Sequence, residues 1–190
     1  MSGGGEKDYN HAERLLWQNP NRILLEIGLA TGQTLVDIGC GDGFFSIPAA
    51  KIVGKAGLVY AIDTSPEAIV SLTAKAQVAQ LDNICPLLTD IALEPPPCCV
   101  DIALLANVLH CFKNPLVVLA NIKRVLRPNG VLAVLDWKKE PQQRHGPALP
   151  KRLSQEAAVA LIQQSGFRVV KDAPSGPFHY LVLAQQNSVG

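Results

Sequence analysis

Three glycines at alternate positions, Gly39, Gly41 and Gly43, follow directly on an apolar stretch, residues 34–38, that carries a single acid, Asp37. An apolar, helix-like segment begins at once after them. The order reads as a buried strand, a tight turn and a helix N-terminus. Glycines let such a turn take positive φ and let a ligand approach the bare backbone. The open N–H groups at a helix start favour an anionic or polar group. The chemistry on offer is the binding of a nucleotide-like cofactor, with Asp37, Gly39, Cys40, Gly41, Gly43 and Phe44 as candidate residues.

The spacing narrows the cofactor. A dinucleotide fingerprint requires G-x-G-x-x-G. Here the pattern is G-x-G-x-G, and Phe44 falls where the third glycine belongs. Asp37 and Asp42 add two carboxylates that would repel a pyrophosphate, so a ligand with an amine or a positive centre suits the turn better. Val36-Asp-Ile-Gly-Cys-Gly-Asp-Gly43 resembles the first motif, D/E-x-G-x-G-x-G, of the class I S-adenosylmethionine (SAM)-dependent methyltransferases. Leu126-Arg-Pro-Asn-Gly-Val-Leu132 is similar to the L-R/K-P-G-G-x-L segment of the small ubiquinone-biosynthesis-like branch (methyltransferase domain type 11/25). Asn129 replaces the first glycine of that segment, and Asn tolerates the left-handed turn conformation. The resemblance covers residues 12–185.

The ends of the expected strands carry the other candidates. Asp63 stands twenty residues past Gly43 at the end of the second strand, where a carboxylate can accept hydrogen bonds from a ribose diol, and Thr64 follows it. The resemblance implies that Asp90, with Ile91 beside it, meets the adenine amino group, and that Asn107 and Val108 turn beneath the methionine part of SAM. It places His110 toward the methyl acceptor, and His110 and Asp136 are the candidate catalytic residues. Trp17, Trp137 and His145 are the candidate acceptor contacts, with Trp17 and Asn19 expected over the cofactor. The implied reaction is in-line methyl transfer from SAM, with S-adenosyl-L-homocysteine as product. It requires the nucleophile at roughly 3–3.5 Å and exclusion of water, and no fixed catalytic triad. Two other classes compete. One is a SAM- or nucleotide-binding module without turnover, since binding and chemistry are separable on such folds. The other is an NAD-dependent oxidoreductase.

The elements that must position these residues follow an α/β alternation. Helices are expected over residues 11–17 and 21–29, then a strand over 34–38. A crossover helix over 45–53 follows, with Pro48 in its first turn, and then a strand over 58–62. A helix opens at Ser65-Pro66 and runs to about residue 80. Strands over 83–88 and 100–106, a helix over 115–126 and a strand over 131–135 come next. A helix over 154–165, capped by Ser154, leads to a terminal hairpin of strands over 167–171 and 178–184. The fold class is α/β: a doubly wound, Rossmann-like sheet of seven mostly parallel strands with an antiparallel last strand at the edge.

Composition bounds the rest. A chain of 190 residues that is 48% hydrophobic fits one domain with a two-sided core. Residues 1–8 read as a flexible tail, and residues 9–30 as helices covering the site. The formal net charge of +1 gives no global field for nucleic acid. No membrane span or basic-then-apolar signal is present, and five cysteines without a C-x-x-C pair point to free thiols in the cytoplasm. The adjacent pair Cys98-Cys99 raises a narrower reading, metalloid methylation, but no resident metal is expected. The partner is a small-molecule acceptor, and a homodimer could complete a lid over the site.

Overall fold

The computed structural model describes residues 11–96, 99–142 and 145–186. The expected tail and Cys98 lie outside them. Two short helices, α1 (His11–Trp17) and α2 (Pro20–Glu26), precede an alternating series. It runs β1 (Thr34–Ile38), α3 (Ser46–Val53), β2 (Leu58–Asp63), α4 (Pro66–Val78), β3 (Ile84–Leu88), β4 (Val100–Ala106) and α5 (Pro115–Val125). β5 (Leu126–Trp137), α6 (Gln155–Gln164), β6 (Phe167–Ser175) and β7 (His179–Gln186) complete it.

The seven strands form one sheet in the order β3-β2-β1-β4-β5-β7-β6. β1 to β5 pair in parallel, and β7 is antiparallel to both β5 and β6. The antiparallel strand therefore lies one place in from the edge expected for it, inserted between β5 and β6. A terminal hairpin can do this because β7 pairs with both neighbours at once, which leaves β6 as the outer strand. Pro86 sits in β3 and Pro174 in β6, the two edge strands, where a missing ladder donor is tolerated.

β5 begins earlier than its hydrophobic run implies. Leu126 pairs with Val100, and the next partners are Val131 and Ile102, so the Arg127-Pro-Asn-Gly130 stretch bulges out of the ladder. Asn129 supplies the left-handed residue that the bulge needs, at φ 66°. Asp101 fills the gap opposite: it accepts the Thr34 N–H at 2.7 Å and Arg127 Nη1 at 2.7 Å.

Strand alternation splits the core into two layers. Val36, Ala103, Leu105, Leu132, Val134 and Val182 face α5 and α6. Leu35, Ile102, Leu104, Ala133, Leu135 and Leu181 face α2 and α3. Pro48 is the third residue of α3, within the first turn, where its absent N–H leaves no bond unmade. At the other end of α3, Asn83 Nδ2 donates to the carbonyls of Ala50 and Gly54 at 2.8 Å each. Chain growth reverses direction between β1 and β4, and ligands of open α/β sheets bind at such a switch point, outside the carboxyl ends of the strands.

Asn83→Ala leaves two carbonyls at the end of α3 without that donor. It should lower unfolding stability by about 1–2 kcal/mol, read as a reduced urea midpoint with an unchanged denaturant slope.

Candidate functional site

The glycine turn is bolted to the end of β2. The N–H groups of Gly39 and Cys40 both donate to Ile62 O, at 2.8 and 3.0 Å. Gly41 N–H donates to Asp63 Oδ2 at 2.8 Å, and Ser65 N–H donates to Asp63 Oδ1 at 2.9 Å. Each Asp63 oxygen thus keeps a lone pair for a further donor. The backbone takes φ of 70°, 54° and 94° at Gly39, Gly41 and Gly43. A Cβ on Gly39 would stand 2.6 Å from Val108 Cγ1, so this position allows no side chain without displacing the chain after β4.

A cavity of about 210 Å³ opens beside the turn, and Gly39, Asp63, Thr64, Asp90, Ile91 and Val108 line it. These six residues were expected around a cofactor from sequence. Thr89, Cys111 and Phe112 line it as well and were not anticipated. Asp90 is shaped by its own turn, its Oδ1 accepting the Ala92 N–H at 2.8 Å.

The other candidates of the turn surround the cavity without lining it. Asp37 lies beneath, 1% exposed, and accepts the Ser46 hydroxyl at 2.6 Å. Burial raises its pKa to about 6, against the Ser46 hydrogen bond and the Arg14 charge. The Cys40 side chain packs with Ala61 and Leu72, and burial, then the Asp37 and Asp63 charges, push its thiol pKa up. Gly43 and Phe44 border a second hollow of about 580 Å³ on the outer side of the turn. The Arg14 guanidinium sits 3.7 Å from the centre of the Phe44 ring. Asp42, expected within the turn to repel a pyrophosphate, is half exposed and pairs with Lys75.

The chain after β4 turns at Asn107, whose φ of 62° puts a non-glycine residue in the left-handed region. Asn107 N–H donates to Leu135 O at 2.7 Å, and its carboxamide meets that of Gln18. His110 follows in a short 3₁₀ turn, Leu109–Cys111. Its Nδ1 lies 2.7 Å from Asp136 Oδ1, and its N–H donates to Asp136 Oδ2 at 3.2 Å. Trp137 N–H donates to Asp136 Oδ1 at 2.8 Å. Burial opposes a charge on His110, but the Asp136 hydrogen bond, the Cys111 side chain and the Asp136 charge outweigh it, and the pKa is raised to about 10. At neutral pH His110 is therefore an imidazolium locked onto a carboxylate, a poor geometry for accepting a proton.

The candidate acceptor contacts gather at the ends of β5 and β7. Trp17 lies 5.6 Å from Trp137 and 5.9 Å from His145, centre to centre. Trp137 is buried, whereas Trp17 and His145 are half-buried. Gly146 allows the loop to close on the Trp137 ring, since a Cβ there would lie 2.5 Å from it. Arg152 holds the same loop by donating to the carbonyls of Pro147, Lys138 and His145. Asn19 caps α2, accepting the Arg22 N–H at 3.1 Å, and so serves the helix start. Two residues of this region gave no signal in the sequence. Gln18 ends an amphipathic helix like any surface glutamine, and His179 opens β7 opposite Trp137.

Among the described residues no cluster of three or more His, Cys, Asp or Glu could hold a metal ion. Cys99 is exposed, and the described cysteines are free thiols. No described helix is long and apolar enough to cross a membrane.

A glycine turn at the switch point, with two strand-end acids around one cavity, is the arrangement of the class I SAM-dependent methyltransferase fold. Residues 29–173 match the family model described as a methyltransferase domain, and the chain belongs to that family. A SAM-dependent methyltransferase from Aquifex aeolicus superimposes with a TM-score of 0.86 at 29% identity, covering 95% of this chain and 100% of that one. Demethylmenaquinone methyltransferase of Staphylococcus aureus is 29% identical over 117 residues, 60% of this chain and 47% of its own length. A probable cobalt-precorrin-6B C(15)-methyltransferase (decarboxylating) of Pyrobaculum aerophilum is 50% identical over 46 residues, 24% of each chain. The chain thus spans from about a quarter to about half of the length of these curated relatives. Of the competing classes, the family match supports the methyltransferase over the nicotinamide enzyme.

The two buried imidazoles give a direct check on this geometry. His110 should stay protonated, and His179, whose pKa burial and nearby cations lower to about 3, should stay neutral from about pH 5 to 8. Imidazole nitrogen NMR shifts should show neither ring titrating in that interval. The His110 pair should stabilise the fold fully below the ordinary pKa of 6.5, and this contribution should fade as pH rises through about 10.

Proposed function

We propose that this protein moves a methyl group from SAM to a small-molecule acceptor by in-line displacement. The observation that carries the reading is the pair of strand-end carboxylates, Asp63 and Asp90, on one cavity beside the glycine turn. When bound, SAM supplies a methyl carbon already activated by a positively charged sulfur.

The residues around the cavity fit that group. The lone pairs left on Asp63 suit a ribose diol, and Asp90 and Ile91 suit an adenine, the acid accepting from an amino group and the isoleucine packing on the ring. Gly39, Cys40, Gly41 and Gly43 bring bare backbone to the ligand, with Asp37 as a buried carboxylate beneath and Phe44 flanking. Val108 and Asn107 hold the chain beneath the methionine end. The cover of α1, α2 and the loop anchored by Arg152 excludes water from the transfer. His110 and Asp136, the candidate catalytic residues, act as a positioning pair that fixes the turn after β4 against β5. Trp17, Trp137 and His145 form the acceptor side. The free thiols of the described cysteines fit a reducing cytoplasm, and a homodimer could complete the lid over the site.

Calorimetry with SAM, S-adenosyl-L-homocysteine and NADH tests the cofactor class. Binding of both adenosyl ligands and none of NADH is expected, and the reverse would overturn the reading. Asp63→Ala should weaken S-adenosyl-L-homocysteine binding by about 1.5–3 kcal/mol. An unchanged Kd would remove Asp63 from the ribose contact.

A further inference from the structure

Gln18 is 1% exposed and ties α1 to two strand ends. Its Oε1 accepts Arg14 Nε at 2.7 Å and Asn107 Nδ2 at 3.3 Å. Arginine can only donate, so the carboxamide orientation is fixed. Gln18 Nε2 then faces His179 Nε2 at 3.2 Å as a donor. His179 Nε2 must accept, which puts the ring proton on Nδ1. That Nδ1 has no hydrogen-bond partner among the described residues, although His179 is 1% exposed. A buried donor without a partner is costly, and a ligand oxygen would relieve it.

The surroundings define what such an oxygen belongs to. His179 stacks on Trp17 at 5.5 Å and 14°, and its centre is 4.2 Å from Trp137. His145 and Phe178, 4.7 Å apart, extend the ring cluster to a half-buried edge. Aromatic cages commonly take cations. Here the charges that act on His179 are Arg14, Lys138 and Arg152, all positive, so an organic cation is opposed and an anion is favoured. Two of the nearby imidazoles are already engaged: His110 is paired with Asp136, and the lone pair of His179 is spent on Gln18.

Building on the methyltransferase reading, we propose that the ring cluster takes the acceptor as a planar phenolate, with His179 Nδ1–H donating to its oxygen and Gln18 fixing that tautomer. The hydroxyl proton leaves to solvent before transfer, helped by the positive surroundings. The phenolate lone pair then forms the O–CH3 bond as the methyl–sulfur bond breaks and its electron pair returns to sulfur. An aryl methyl ether and a neutral thioether result, and no proton moves in that step.

The chain has two tryptophans, Trp17 and Trp137, and both lie in the cluster, so intrinsic fluorescence reads binding directly. The full chain is titrated, with and without S-adenosyl-L-homocysteine, with 4-cyanophenol at a pH where it is ionised, with benzonitrile and with benzyltrimethylammonium. The phenolate should bind about tenfold tighter than either of the others, the scale of one charge-assisted hydrogen bond. Equal binding, tighter binding of the cation, or no phenolate binding would overturn the assignment. His179→Phe should erase the phenolate preference and leave benzonitrile unchanged. Gln18→Ala should reduce that preference by the same readout, and serves alone if the His179 variant does not fold. A preference that survives in the folded variants also overturns the assignment. Calorimetry with S-adenosyl-L-homocysteine on the same sample separates the two ideas. Cofactor binding without phenolate preference ends the acceptor assignment alone, and phenolate preference without cofactor binding ends the methyltransferase reading alone.

Discussion

The contact between the glycine turn and the end of β2 is the constraint on which the rest of the site depends. Two N–H groups share the Ile62 carbonyl, and a third reaches the Asp63 carboxylate. The chain leaving β1 turns into α3 through three left-handed residues, and all three are glycines. The same turn sets the height of the cavity floor, because Val108 packs where a side chain at Gly39 would be. β1, β2 and the segment after β4 are thereby fixed relative to one another by backbone, which has little freedom to drift.

Buried charge is handled differently at the two ends of the site. Beneath the glycine turn Asp37 is buried with the Ser46 hydroxyl and the Arg14 charge as partial compensation, and burial outweighs both to raise its pKa. Asp136 is buried just as deeply but accepts two backbone N–H groups and a histidine. Such a pair adds little net stability over an apolar substitute, yet removing one partner is costly. What it contributes is position: the 3₁₀ turn carrying Leu109 and Cys111 cannot move away from β5 while both bonds hold.

Much of this was legible in the sequence wherever a local pattern carried it. The strand over residues 34–38, the glycines after it and the acids at 63 and 90 each follow from neighbours within a few residues, and the cavity gathers Gly39, Asp63, Thr64, Asp90, Ile91 and Val108 as expected. The misses involve partners far apart in the chain. Gln18 meets Asn107 across 89 positions and His179 across 161, and nothing near any of the three marks the pairing. Trp137, two residues beyond the strand expected over 131–135, is the last residue of β5, because β7 inserts beside it and pairs His179 opposite. The pairing of Asp42 likewise reaches Lys75, 33 residues away.

α1, the cover over the proposed acceptor end, is held by fewer interactions than the strands beneath the glycine turn. α1 has seven residues, too few to be stable by itself. Leu16 is 87% exposed, so the helix buries only part of its apolar surface. What holds it is the Gln18 carboxamide, with contacts of 3.2–3.4 Å to Asn107 and His179, the Arg14–Phe44 stack and the Trp17 ring contacts. β1 and β4, by contrast, are paired on both edges and buried on both faces. Local opening is cheapest where few buried contacts must break. Releasing α1 breaks one carboxamide network and a ring stack, whereas disturbing the glycine turn would break the sheet's central ladder. Under the proposed function, this division would let a small acceptor enter and the methylated product leave past α1 while the strand ends around the cavity keep one geometry.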